Sequence, residues 1–389
     1  MRTIILLMIS AGIYADIEKS VWDRENDPYR IGIDYMSREY RYDNRFENLP
    51  LNGALDENPW SDDYWPTYKG GISYRWNQSG YDDEKKIAYK LLKKSDVKKS
   101  TLKDLKSLSP AEKYDLLLGQ YSYPLVNHER DRTQVLKTMP SHVDFDFDYD
   151  IPTWEGLCHG WAPATLLYSN PSAITLKNPD GLEIPFGASD IKALLTFNMH
   201  YSKNVRSSFL GKRCNINFEE IREQLEYGEI SQEEYIAKLQ SAECLDVNAG
   251  SFHIVLANQI GKLKEGFIAD VTRDFEVWNQ PVFAYETNVI GQKLPSVKQR
   301  EYGTKKVISI YLELHYVVER NQHWEYRDNY QDFSTKHYQY DLEINRKGDI
   351  IGGEWLSEDR PDFLWKQGRP SFSGYFNKLE DLYNKSIED

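Results

Sequence analysis

Two hydrophobic periods divide this chain. Between about residue 109 and residue 244 the apolar positions recur at helical spacing, and from Val247 onward they alternate with a period of two. Ser109-Pro110-Ala111-Glu112 has the form of a helix start, with a serine cap, proline at the first position and glutamate three residues after the cap. Tyr114, Leu117 and Leu118 carry its apolar stripe and Gly119 ends it. Ser189 is placed to cap a second helix with Ile191, Leu194 and Leu195 on its inner face. Asn217 with Glu220, and Ser231 with Glu234, predict a helical pair between Cys214 and Cys244. Strands are predicted at Phe252–Leu256, Phe267–Val271, Val307–Val318 and Tyr338–Ile344, with turns at Gly261, Gly266 and Gly348. Helices first and a mostly antiparallel sheet after them make an α+β fold.

The N-terminal part reads differently. Arg2, the apolar run Ile4–Ile13 and the small Ala15 form a secretion signal over residues 1–15, too short to span a bilayer. Residues 16–125 form an N-terminal extension, partly helical and a candidate pro-region. Residues 126–389 form the predicted catalytic α+β domain. Within the extension, residues 16 to about 60 are polar and turn-prone, Pro59 to Tyr68 is aromatic and proline-punctuated, and Tyr81 to Lys106 is a lysine-rich helical face. A formal net charge of −13 argues against nucleic acid as a partner.

Candidate chemistry centres on Thr153-Trp154-Glu155-Gly156-Leu157-Cys158-His159-Gly160-Trp161-Ala162-Pro163. A cysteine between two glycines and two tryptophans, followed by an apolar run, suits a thiol nucleophile ahead of a helix. Pro163 fits a first helical turn, so the helix is expected to start near Ala162, with Cys158 just outside it. Export places the three cysteines in an oxidising compartment. Pairing Cys214 with Cys244 leaves Cys158 as the odd, free thiol, and would close a loop stabilising the fold by about 3–4 kcal/mol.

A thiol nucleophile needs a base and an orienting group. His253, a polar residue in the apolar run Phe252–Leu256, is the candidate base; His159 is adjacent to the thiol in sequence and points away from it. His315, His323 and His337 read as ordinary residues of tyrosine-rich strands. A chain reversal between Gly261 and Lys262 would set His253 opposite Asp270, and a longer loop would bring Asp274 or Asn279 there instead. Trp154 and Trp161 are candidate cleft walls. Asp144, Asp146, Asp148 and Asp150 alternate with aromatics on a predicted strand; they could hold Ca²⁺, and a solvated edge strand is the plainer reading.

These stretches carry a resemblance. Glu276-Val277-Trp278-Asn279-Gln280-Pro281-Val282 resembles the tryptophan-asparagine-glutamine-proline core of the peptide by which plants detect the oomycete transglutaminase elicitor family. Trp65 to Tyr68, Ser109 to Tyr114, the Cys158 stretch, Ser189 to Lys192, Asn248 to His253 and Ile351 to Trp355 are similar to that family's segments in the same order, so the resemblance covers most of the chain from about residue 59. It implies a secreted enzyme with a papain-like core, calcium dependence and protein-glutamine γ-glutamyltransfer. A protein or peptide glutamine would be the donor, and a lysine or other amine the acceptor. It also implies a triad of Cys158, His253 and Asp270; Trp278 and Asn279 join Trp154 and Trp161 as candidates for the substrate cleft. Two other readings stay open: a cysteine peptidase or glutamine deamidase with the same triad, and a non-catalytic surface-recognition protein whose Cys158 is structural.

Overall fold

The computed structural model describes residues 22–34, 37–78, 89–136, 151–203, 205–239, 246–272, 275–296, 301–325, 332–357 and 359–388. Its strands, in chain order, are β1 (Asn52–Ala54), β2 (Ile174–Lys177), β3 (Glu183–Phe186), β4 (Ser207–Gly211), β5 (Phe267–Asp270), β6 (Asn279–Lys293), β7 (Lys306–Val317), β8 (Phe333–Ile344), β9 (Ile350–Trp355) and β10 (Phe363–Gln367). Eight of them form one antiparallel sheet in the order β4-β10-β5-β6-β7-β8-β9, with β1 also paired to β6; β2 and β3 form a separate hairpin. The long strands β6 and β7 slip register at Val282/Ala284 and again at Val289/Gly291. Each extra residue bends the strand and adds right-handed twist, which curls the sheet.

Alternation along β7 explains what the sheet covers. Ile308, Ile310, Leu312 and Leu314 are buried on one face, and with Phe252, Val255 and Leu256 of the Ala249–Leu256 helix they form one core. Truncating a fully buried member such as Ile310 to alanine is expected to cost about 2–5 kcal/mol. A second core lies on the helical side: Trp65 and Tyr114, Trp161 of the Cys158–Leu167 helix, Ile191 and Leu194 of the Ala188–Tyr201 helix, and Leu379 of the Asn377–Ser386 helix. The chain crosses the expected boundary near residue 125 inside this second core, because residues 60–126 supply many of its side chains.

Several sequence expectations meet the structure directly. Ser109 Oγ accepts the Glu112 N–H at 3.2 Å, while Glu112 accepts the Ser109 N–H at 2.9 Å. The helical pair is present as Phe218–Glu226 and Gln232–Leu239. Ser189, however, is not a cap. Gly187 occupies the cap position and Asp190 accepts its N–H at 2.7 Å. The Ser189 hydroxyl instead donates to Asp62 at 2.7 Å.

The larger correction falls on Phe252–Leu256, which is helix and not strand. Asn248 caps this helix, accepting from Gly250 and Ser251 N–H. All eight residues of Ala249–Leu256 are buried, so no polar face exists to show a helical period. The helix continues as a wider turn through Ala257–Leu263, so Gly261 is not a hairpin reversal. Asp270 therefore pairs across the sheet with Asn279.

Candidate active site

Cys158 is the first residue of its helix, with Leu157 as the cap, so the helix begins four residues earlier than Pro163 suggested. Pro163 lies inside it, and its missing N–H forgoes one bond to the carbonyl four residues back. The flanking glycines are needed for close approach. A Cβ on Gly156 would stand 2.5 Å from the Tyr64 ring, and one on Gly160 would stand 2.4 Å from the Thr196 carbonyl of the neighbouring helix. The thiol is free and buried.

Its partners are Val277, just before β6, and Asn279, the first residue of β6. Cys158 Sγ lies 3.8 Å from the Val277 carbonyl, and Asn279 Nδ2 donates to the sulfur at 3.5 Å. Trp365 on β10 fixes that amide, since its indole N–H donates to Asn279 Oδ1 at 2.8 Å and leaves only the NH₂ end to face the thiol. Asp270 braces the same segment: its Oδ1 accepts from Thr272 Oγ1 at 2.9 Å and from Trp278 N–H at 3.2 Å. Burial pushes the thiol's pKa up, the Asn279 bonds oppose this, and the charges of Glu319 and Asp270 add to the rise. The helix N-terminus favours the thiolate, so the sulfur stands between opposing influences.

A cavity of about 600 Å³ is lined by Asp63, Tyr64, Lys69, Glu319, Arg320, Gln322 and His323 among others. Tyr64 on its wall also holds the residue before Cys158, its carbonyl accepting the Leu157 N–H at 2.7 Å. Gln280 Nε2 donates to both Glu319 oxygens, at 3.0 and 3.3 Å.

The sequence pattern of the transglutaminase elicitor family matches residues 35–377. The chain belongs to that family. Its fold is similar to the crystal structure of the GP42 transglutaminase from Phytophthora sojae, with a TM-score of 0.61 at 22% identity, over 95% of this chain and 99% of that one. No curated protein matches it.

In this member of the transglutaminase elicitor family, the structure does not bring the three expected triad residues together. His253 is fully buried in the sheet-side core; its Nδ1 meets the Tyr340 hydroxyl at 2.8 Å and its ring stacks on Phe46. Among the described residues nothing hydrogen-bonds its Nε2. Burial alone pushes its pKa down to about 3. The expected contact with Asp270 assumed a strand at 253, and the helix there removes it. Asp270 does lie within electrostatic reach of the thiol, and Asn279, named as an alternative partner, is the side chain in contact with it. Asp274 lies outside the described residues.

The tryptophans divide. Trp161 is core, fully buried, and walls no cleft. Trp154 is half-buried and meets Phe275 edge-on, and Trp278 packs near Tyr64 with ring centres 6.2 Å apart. Tyr64, Glu319 and Trp365 were not singled out from the sequence. Gln280 stood inside the Trp278-Asn279-Gln280-Pro281 motif, the one signal that could have found it. Residues 1–15, Asp144, Asp146, Asp148, Asp150 and Cys244 lie outside the described residues. Among the described residues no cluster of three or more His, Cys, Asp or Glu fits a metal ion, so no calcium site is built from them. No described helix is long and apolar enough to cross a membrane.

Proposed function

We propose that this protein is a transferase of the transglutaminase type in which Cys158 is the nucleophile. The observation that carries the reading is the free thiol at the start of a buried helix, held against the Asn279 amide in a segment braced by Asp270. Membership of the transglutaminase elicitor family and a fold like that of the GP42 transglutaminase support it. Cys158 Sγ attacks the side-chain carboxamide of a protein glutamine. The C–N bond breaks, ammonia leaves with the thiol's proton, and a thioester remains. The backbone N–H groups of Cys158 and His159, at the opening of the helix, can meet the developing oxyanion, with Asn279 Nδ2 bonded to the sulfur; those of Gly160 and Trp161 are taken by the Leu157 carbonyl. We assign the proton to Glu319 or Asp270, whose charges reach the sulfur. An amine then takes the acyl group from the thioester.

Pairing of Cys214 with Cys244 belongs to the same proposal, in keeping with the free Cys158 and the fully buried Cys214. Calcium dependence and export are also proposed, from the family resemblance and the N-terminal sequence, and no step above runs through calcium. Incubation with a glutamine peptide and a labelled primary amine tests the reading. Amine incorporation with release of ammonia is expected. Cleavage of the peptide backbone would instead favour a peptidase, and the absence of any reaction would favour a structural Cys158.

A further inference from the structure

Another cavity of the fold is used by no step of the reaction. It measures about 1140 Å³ and opens between residues 22–44, the turn joining β8 to β9 and the start of β9; none of the residues placed around Cys158 lines it. Trp22, Tyr29, Tyr40, Tyr42 and Tyr302 give its walls aromatic rings. The Tyr29 and Tyr40 rings lie nearly parallel, 22° apart with centres 5.6 Å from one another, and Tyr42 follows Tyr40 at 5.6 Å. Tyr29 is 45% exposed and Tyr302 98%, so folding buries little of either ring. The platform is nevertheless pinned in place. Fully buried Asn258 accepts the Asp43 N–H and donates to the Asp43 carbonyl, each at 2.9 Å. The Ile350 N–H of β9 donates to the Asn44 carbonyl at 2.8 Å.

The charges decide what such walls suit. Among the described lining residues Asp27, Asp43 and Asp349 stand against Arg41, Lys262 and Lys347, so neither sign prevails. Lys262 already reaches Asp43 at 3.1 Å, and Arg41 reaches Glu265 at 3.1 Å. A cation or an anion would have to break such pairs. The Tyr40 hydroxyl donates to Asn44 Oδ1 at 2.8 Å, which leaves the NH₂ end of that amide as a donor and the phenol oxygen as an acceptor. A matching ligand lays C–H faces on the rings and turns neutral groups that both donate and accept toward the polar rim. A pyranose ring has that form, with C–H bonds on its faces and hydroxyls around its edge. The volume is at the upper end of small-molecule pockets, about 300–1,000 Å³, and so has room for several linked sugars. We propose that this cavity binds a neutral oligosaccharide, with one sugar stacked on the Tyr29–Tyr40 rings and its hydroxyls met by Asn44 and the paired charges. The site stands independently of the transferase reading, since it shares no residue with the thiol's surroundings.

Calorimetric titration of the intact protein with cellohexaose, laminarihexaose, maltohexaose and mannohexaose tests the site. At least one of these neutral chains should bind. Tyr29→Ala should weaken that binding by about tenfold, whereas Tyr29→Phe, which keeps the ring, should bind nearly as the parent does. Both variants should unfold at the parent's temperature, because Tyr29 is already exposed. A heparin hexasaccharide, densely anionic, should bind no more tightly than the neutral chains. Amine incorporation into a glutamine peptide should be the same in Tyr29→Ala as in the parent. Failure of all four neutral chains to bind, or a folded Tyr29→Ala that binds as the parent does, would overturn the proposal. Tighter binding of the anionic chain would also overturn it, and a raised KM for the glutamine peptide in Tyr29→Ala would make the cavity part of the protein-substrate cleft instead.

Discussion

Two helices, one opening on Cys158 and the other carrying His253, look alike in the sequence: each sets a polar, reactive side chain among small and apolar residues. In the structure their surroundings part. The sulfur of Cys158 meets a fixed amide, a carbonyl and the fields of two carboxylates. The imidazole of His253 meets one tyrosine hydroxyl and aromatic rings. Burial pushes the thiol's pKa up and the imidazole's down, but only the thiol has neighbours that oppose its burial. A polar residue in an apolar run marks a site only when other elements bring polar groups to its reacting atom.

The sharpest break would come from Cys158→Ala, which should abolish amine incorporation and leave the thermal unfolding midpoint nearly unchanged. Retained activity would end the comparison. Next, Asn279→Ala removes the donor on the sulfur and should cost on the order of tenfold to a thousandfold in kcat, by analogy with the loss of a preorganised donor. Asn279→Asp should be worse still, because a third carboxylate would raise the thiol's pKa further; thiol alkylation against pH reads that shift.

His253→Ala should act on the other side of the comparison. Denaturant unfolding should show a loss of about 2–4 kcal/mol from the emptied core, with kcat per folded molecule little changed. A folded variant without activity would restore His253 as a catalytic group. The smallest effect is in acid. Unfolded chains bind a proton at histidine near its ordinary value, whereas folded His253 does so only at about 3. The stability from the neutral ring is therefore present above the ordinary histidine range and is lost as pH falls toward 3. His253→Phe should flatten that part of the acid limb, and His200, also near 3, should keep the rest.

The sequence made the thiol, the capped helices and the long strands legible, because caps and alternation are local signals. Ser109 with Glu112 and the alternation of β7 needed no distant partner to be read. The site's partners were less so. Asp270 was tied to His253 by counting a hairpin, and the count failed because Ala249–Leu256 is buried all round and shows neither period. Trp365, which aims the Asn279 amide, lies 86 residues further along the chain, and only the pairing of β10 with β5 brings it there. Glu319 reaches the cavity from the end of β7 by the same long-range route.

The central claim is a thioester on Cys158. Incubating the protein with a glutamine peptide, quenching in acid and mapping the adduct by mass spectrometry tests it directly. The account predicts a peptide adduct on Cys158 with the loss of one ammonia, discharged by added amine and absent from Cys158→Ala. An adduct on another residue, or incorporation of amine with no Cys158 intermediate at the shortest quench times, would contradict it.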